Sequence, residues 1–251
     1  MPDILAQALA VPGLGWLVFG AAVGGMVRGF SGFGTAMVFL PIAAQFIPPA
    51  WAILCLIAMD IIGPLPVLRR TARQANLRDL ALLTVFAALS VPLGVWLLTV
   101  IAPETYRLAL CGLTIGLVVC LVGGLRYSGK PTGAMVGLTG AASGVSGGLA
   151  GLPGPPVVLL YMASSLPVAQ VRANAMLFLF IVDFLMLAAL WAAGAFALTP
   201  MLLGAMLAIP NTLGILLGQA IFDPGRAGVY RGVAYGVIMA SAVMGLPFWD
   251  Q

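Results

Sequence analysis

The sequence predicts an all-α membrane protein built from two inverted-topology repeats. Of its 251 residues, 62% are hydrophobic and only 7% are charged, whereas soluble domains carry about a quarter charged residues. Apolar runs recur from Leu14 to Leu246 and are continuous rather than alternating. This favours helices over barrel strands, because a helix satisfies its own backbone hydrogen bonds in lipid. The third observation is a set of matching motifs in the two halves of the chain.

The apolar runs divide into two sets of similar layout. The first set lies at about residues 14–28, 34–47, 50–68, 78–100 and 105–125, and the second at about 133–145, 153–165, 170–194, 200–221 and 229–247. In each set the first two segments are shorter than the roughly 20 residues that a span needs, and the next three are long enough. Each half is therefore predicted to hold a short glycine-broken helical pair and three transmembrane helices.

Short motifs recur in the same order in both halves. The motif "GFSG" at 29–32 matches "GVSG" at 144–147, and Asp60 and Asp183 hold corresponding places in the third segments. Matches that keep their order at a nearly constant offset are typical of an internal duplication. We place the first repeat at residues 1–128 and the second at 129–251, within a single membrane domain.

Basic residues in the loops predict the orientation. They follow the third segment, as Arg69, Arg70, Arg73 and Arg78, and lie between the halves, as Arg126 and Lys130. Loops rich in arginine and lysine face the cytoplasm, and three spans per half turn the second half upside down. Both termini are then external, and of the eleven basic residues only Arg28 and Arg107 lie away from the cytoplasmic side. Inverted repeats with broken helices are a transporter architecture.

Glycine-rich stretches interrupt the short helical pair of each half, as "GFSGFG" at 29–34 and "GVSGGLAGLPG" at 144–154. A break at membrane depth is tolerated only inside protein or beside a water-filled cavity. The helix that follows offers free N–H groups and a positive dipole end, which suit an anion. Ser31 and Ser146 are candidates to cap those helices. Two such breaks facing each other from opposite sides would build one central site near the midplane.

Arg28 directly precedes the first break. A charged arginine in the middle of a membrane helix costs about 2.5 to 3.5 kcal/mol on insertion scales. Its guanidinium fork suits carboxylate, phosphate or sulfonate oxygens. The alternatives are that Arg28 reaches a membrane surface or forms a structural ion pair with Asp60. The candidate substrate-binding residues are Arg28, Ser31, Gly32, Gly34, Ser146, Gly147 and Gly148, the glycines acting through their backbone N–H groups.

Asp60 and Asp183 are acids inside long apolar segments, and each is a candidate to carry a coupled proton. The alternative is that each caps a helix or pairs with an arginine. Asn174 and Gln219 are possible ligands, although interhelical hydrogen bonding is their ordinary use. Close helix packing is the alternative for the glycines; we expect it for Gly112 and Gly116 more than for the two matched clusters.

Several activities are excluded by composition. The chain has no histidine, and its cysteines show no metal-ligand spacing, so we expect no metal, no cofactor and no enzyme activity. The G-x-S-G motifs fit a serine protease pattern, but the serines have no histidine to take their proton. The net charge of +4 reflects membrane orientation, and no basic run with interleaved aromatics suggests nucleic acid.

The stretches "GGMVRGFSGFGTAMVFLP" (24–41) and "GAASGVSGGLAGLPGPPVVLLYM" (140–162) resemble the sulfite exporter TauE/SafE family, also called the toluene sulfonate uptake permease family. The resemblance implies a multi-pass protein of the bacterial inner membrane that carries small sulfur-containing or organic anions, such as sulfite, sulfoacetate or other sulfonates. We therefore predict a secondary transporter, proton- or ion-coupled, that works by alternating access around a midplane site. Its partners are the small anion and the lipid bilayer, and no oligomeric state is indicated. The alternative function is a passive anion channel.

Overall fold

A computed structural model describes residues 2–31, 33–62, 72–73, 75–123, 131–162, 166–223 and 226–249, and these residues form helices with no strand among them. The α-helices are α1 (Pro2–Leu9), α2 (Leu14–Ser31), α3 (Thr35–Ala43), α4 (Pro49–Ile62), α5 (Leu77–Val100), α6 (Pro103–Val122), α7 (Gly133–Ala150), α8 (Gly154–Met162), α9 (Val168–Ala192), α10 (Leu198–Ile221) and α11 (Ala227–Met244). A short 3-10 turn follows at Pro247–Trp249. The predicted all-α class is confirmed.

Four helices of the described residues are long and apolar enough to cross a membrane: Leu77–Val100, Pro103–Val122, Ala173–Ala192 and Leu198–Ile221. They correspond to four of the six predicted spans. The third segment, predicted at 50–68, is helical over Pro49–Ile62, and residues 63–71 lie outside the described residues. The last predicted span, 229–247, is helical over Ala227–Met244, with Gly245 as the C-cap.

The helices of the two halves begin at matching intervals. Helices α2, α3 and α4 begin at residues 14, 35 and 49, and α7, α8 and α9 begin at residues 133, 154 and 168. Each second-half helix thus begins 119 residues after its counterpart (133 − 14, 154 − 35 and 168 − 49). At this interval "GFSGFG" at 29–34 lies opposite "GLAGLP" at 148–153 rather than opposite "GVSG". The motif match is therefore displaced by one helical turn from the equivalence of the helices.

The chain divides into two compact units, which draw on both halves of the sequence. The first unit comprises Met1–Ile62, Ala102–Val122 and Ala197–Gln251, and the second comprises Gly63–Ile101 and Gly123–Phe196. In the first unit α2 packs most extensively on α10, and in the second α7 packs most extensively on α5. Each unit therefore combines the first three segments of one half with the fourth segment of the other. The units do not coincide with the repeats predicted at 1–128 and 129–251, and that division stays a prediction.

Glycines make the closest helix contacts within each unit. A Cβ atom at Gly25 of α2 would overlap the carbonyl oxygen of Asn211 in α10, and one at Gly148 of α7 would lie 2.5 Å from the carbonyl oxygen of Val91 in α5. Gly29, in the first matched cluster, likewise lies against the backbone of Ile215 in α10. Gly112 and Gly116 have no atom of the described residues outside their own helical turn within 4 Å of the corresponding position. Close packing was expected for Gly112 and Gly116 more than for the matched clusters, and the described residues show the reverse.

Arg107, which lies away from the predicted cytoplasmic loops, closes the end of α11. Its side chain is buried, Nε donates to the carbonyl oxygen of Gly245 at 3.1 Å, and Nη2 donates to that of Leu246 at 3.4 Å. A cation beside the last carbonyls of a helix satisfies acceptors that the helix leaves unpaired and complements its dipole. Arg107 is accordingly a structural residue of the first unit.

We expect Arg107→Met to lower the melting temperature by about 3 to 12 °C, because hydrogen bonds to a charged group contribute about 1.5 to 3 kcal/mol. Thermal unfolding in detergent measures the effect. Arg226→Met is the matched control, since Arg226 is 77% exposed and its ion pair with Asp223 spans 3.9 Å at the surface. An unchanged melting temperature of Arg107→Met would contradict the structural role.

Candidate functional site

An ion pair lies beside the first break. Arg28 stands in the last turn of α2, and its Nη1 donates to Oδ1 of Asp60, near the end of α4. The side chains are 25% and 20% exposed, respectively, so neither is sealed inside the unit. The ion pair weighed as the alternative for Arg28 is therefore present. An anion that binds Arg28 has to share or replace the carboxylate of Asp60.

The first break is a sharp reversal between α2 and α3. Gly34 has a φ of +115° and is the N-cap of α3, which has no side-chain cap. A left-handed conformation of this kind favours glycine. Ser31 is the last residue of α2; its side chain and the whole of Gly32 lie outside the described residues, so the capping role of Ser31 stays a prediction.

The start of α3 carries donors that the helix itself does not use. The first intrahelical bond at this end runs from the N–H of Val38 to the carbonyl oxygen of Gly34 at 3.1 Å. The amides of Thr35, Ala36 and Met37 precede that bond, and helix ends of this type bind anions. The Thr35 hydroxyl, which is buried, donates to the carbonyl oxygen of Gly24 at 3.5 Å. The amides thus lie beside the turn of α2 that precedes Arg28.

The second break lies later in the sequence than "GVSG" predicts. Helix α7 continues through Ser146, Gly147 and Gly148 to Ala150, and Gly151 is its C-cap with a φ of +69°. The backbone N–H groups of Gly147 and Gly148 therefore belong to the helical ladder, and the expectation that they are free was wrong. The physical reason is that glycine at 148 serves close packing against α5, not a turn.

Ser146 closes the end of α7 instead of starting α8. Its hydroxyl donates to the carbonyl oxygens of Leu152 at 2.8 Å and Ser143 at 3.4 Å. The N–H of Leu152 donates in return to the carbonyl oxygen of Ser146 at 3.2 Å. These bonds fix the turn of the second break, so the predicted N-terminal cap is a C-terminal one.

Two prolines weaken the second break as an anion site. Helix α8 begins with Gly154, Pro155 and Pro156, and proline has no backbone N–H. Of the first three positions of α8, one carries a donor, whereas all three positions of α3 do. At the place equivalent to Arg28, 119 residues later, stands Gly147, against which Pro153 and Met186 pack. The charge and the free amides are thus concentrated in the first unit.

The remaining polar candidates have separate places. Asp183 is a buried residue of α9 in the second unit, and by the spacing of the helices Asp60 corresponds to Leu179 rather than to Asp183. The side chain of Asn174 accepts from the backbone N–H of Asn76 at 2.8 Å and donates to the Tyr161 hydroxyl at 2.9 Å. Its predicted interhelical hydrogen bonding is confirmed, and Gln219 lies exposed on α10.

Sequence reasoning missed Asn211. This residue of α10 is 2% exposed, and its Oδ1 atom is buried with no hydrogen-bond partner among the described residues. A Cβ atom at Gly25 would lie 2.8 Å from this oxygen. The signal that could have found it is the "IPNTLG" stretch at 209–214, where an amide follows proline inside a predicted span.

One of three comparisons with known proteins gave a match. A family model described as sulfite exporter TauE/SafE matches residues 17–245, nearly the whole chain. Searches of curated proteins and of solved structures each gave no significant match.

Proposed function

Because the chain belongs to the sulfite exporter TauE/SafE family, whose members are multi-pass membrane transporters rather than enzymes, we propose that it is a secondary transporter of sulfite, sulfoacetate or other small sulfonates. The Arg28–Asp60 pair beside an uncapped helix start is the observation that carries this proposal. Arg28 can exchange the carboxylate of Asp60 for an anion, and the free backbone N–H groups at the start of α3 lie beside the turn of α2 that precedes it.

The proposed binding site belongs to the first unit. Arg28 holds the sulfur oxyanion through two parallel N–H bonds, and the amides that follow Gly34 at the start of α3 take a third oxygen. Ser31 and Gly32 remain proposed substrate-binding residues of this site. Ser146, Gly147 and Gly148 belong to the second break, in the second unit, and the proposed contacts of Arg28 and α3 with the anion do not depend on them.

The spacing of the helices supports the inverted duplication. Equal intervals between the first three helices of each half are what a duplicated unit predicts, and an odd number of spans per half reverses the orientation of the second copy. The proposed transport cycle is therefore alternating access. In this proposal both termini are external.

Asp60 supplies the proposed coupling to protons. An anion that takes Arg28 displaces the guanidinium from the carboxylate of Asp60, and in this proposal Asp60 then carries the coupled proton. Binding of the anion and uptake of a proton then support each other. Asp183 has no comparable place in this scheme, because the arginine at the first break pairs with Asp60.

We expect Asp60→Asn to bind sulfite and exchange it across the membrane but to lose uphill accumulation driven by a proton gradient. Labelled-sulfite uptake into proteoliposomes, with and without an imposed pH gradient, measures both activities. Asp183→Asn is the matched control and keeps gradient-driven uptake. Retention of uphill transport by Asp60→Asn would contradict the coupling role, and flux of wild type that does not saturate with sulfite would instead support the passive channel.

A further inference from the structure

The carboxamide of Asn211 lies in the middle of a helix that is long enough to span the membrane. Asn211 is the fourteenth of the 24 residues of Leu198–Ile221, and it is 2% exposed. Its Oδ1 atom accepts no hydrogen bond from any described residue. A buried polar atom without a partner is costly, so its retention calls for a use that the folded chain alone does not provide.

Asn211 packs against α2 one helical turn before Arg28. Its Oδ1 atom faces Gly25, at 2.8 Å from the position of a Cβ atom there. Gly25 precedes Arg28 by three residues on α2, which is a rise of roughly 4.5 Å along the helix axis. Residues three apart lie on the same side of a helix. The unpaired acceptor therefore lies along the side of α2 that leads to Arg28, within the first unit.

The corresponding position in the second unit is occupied by a serine instead of an asparagine. Helix α5 also has 24 residues, from Leu77 to Val100, and its fourteenth residue is Ser90. The Ser90 hydroxyl faces Gly144 and donates to the carbonyl oxygens of Phe86 at 2.9 Å and Ala87 at 3.2 Å, within its own helix. Ser90 is therefore satisfied locally, whereas Asn211 is not.

We propose that Asn211 is a substrate-contacting residue whose Oδ1 atom accepts a hydrogen bond from an O–H or N–H group of the transported anion. The inference rests on the proposed function, because Arg28 holds the negative end of the same molecule. Among small sulfur oxyanions it favours those that also carry a donor, such as hydroxyalkanesulfonates and aminoalkanesulfonates. Donor-free sulfonates of equal charge bind more weakly.

A matched pair of sulfonates tests this assignment. Ethanesulfonate and 2-hydroxyethanesulfonate differ by one hydroxyl, and each is used to inhibit labelled-sulfite uptake into proteoliposomes. For wild type we expect the hydroxylated compound to inhibit at about tenfold lower concentration, the effect of one hydrogen bond. Asn211→Leu loses this preference and is inhibited by both compounds to the extent seen with ethanesulfonate on wild type. Ser90→Ala, the matched control in α5, keeps the tenfold preference.

The outcomes separate this inference from the proposed function. Equal inhibition of wild type by the two sulfonates, or a preference that survives in Asn211→Leu, overturns the role of Asn211 while the transporter stands. Absence of any inhibition by either sulfonate and of any sulfite uptake overturns the proposed function itself. If Asn211→Leu does not fold, Asn211→Ala replaces it. Equal inhibition of wild type by the two sulfonates overturns the role of Asn211 whether or not either variant folds.

Discussion

Arg28→Ala is expected to abolish sulfite uptake into proteoliposomes while the protein remains folded. In the proposed site the guanidinium is the cation that meets the anion, and removing one member of a desolvated charge pair costs about 2 to 5 kcal/mol or more. Uptake should therefore fall by at least about thirtyfold. Arg28→Lys keeps the charge but loses the planar fork, so we expect an intermediate rate with a raised KM.

Two controls separate binding from folding in this experiment. Arg28→Ala leaves Asp60 without this ion-pair partner, so the double variant Arg28→Ala/Asp60→Asn removes both charges and restores the melting temperature without restoring uptake. Arg226→Ala removes an exposed arginine of the same unit and keeps normal uptake. Sulfite uptake by Arg28→Ala at the wild-type rate would show that the pair is purely structural.

Gly148→Val is expected to destabilise the second unit severely. Its Cβ atom would lie 2.5 Å from the carbonyl oxygen of Val91 and 2.8 Å from the backbone nitrogen of Val95, and backbone atoms cannot move aside as a side chain can. Overpacking costs about 1 to 3 kcal/mol, occasionally more. We expect the melting temperature to fall by about 10 °C or more, measured by thermal unfolding in detergent.

Gly116→Val is the matched control for the same chemical change. Gly116 lies within α6, and no atom of the described residues outside its own helical turn lies within 4 Å of its Cβ position. Valine also has a better helix propensity than glycine. We expect an unchanged or slightly raised melting temperature. Equal destabilisation by Gly116→Val and Gly148→Val would show that the effect comes from glycine replacement in helices rather than from contact with α5.

Hydropathy predicts most of the fold because apolar runs in lipid have to be helical. The sequence places the starts of the two broken pairs at about residues 14 and 133, and α2 and α7 begin there. It does not place the second break, because glycine is suited both to a tight turn and to close helix packing. Which use applies to Gly148 depends on α5, whose contacting residues lie about fifty positions away in the sequence.

The candidate site was predictable in part. Arg28 and Asp60 stand out as charges in apolar segments, and their pairing was one of the weighed interpretations. The "GPP" that opens α8 indicates that the second break offers fewer backbone N–H donors than the first, since proline lacks the N–H that an anion needs. Asn211 was not singled out among the amides in apolar segments, and the missing partner of its Oδ1 atom becomes evident only when its surroundings are known.

Each unit contains the fourth segment of the other half, and this has a consequence for the order of assembly during synthesis. Helix α2 reaches its main packing partner in α10 only after residue 198 has been synthesised, so most of the first unit waits in the bilayer while the second is completed. A nascent chain interrupted near its midpoint presents the glycine face of α2 to lipid. Insertion and assembly are thereby separate stages, and quality control has to tolerate an incomplete intermediate for most of translation.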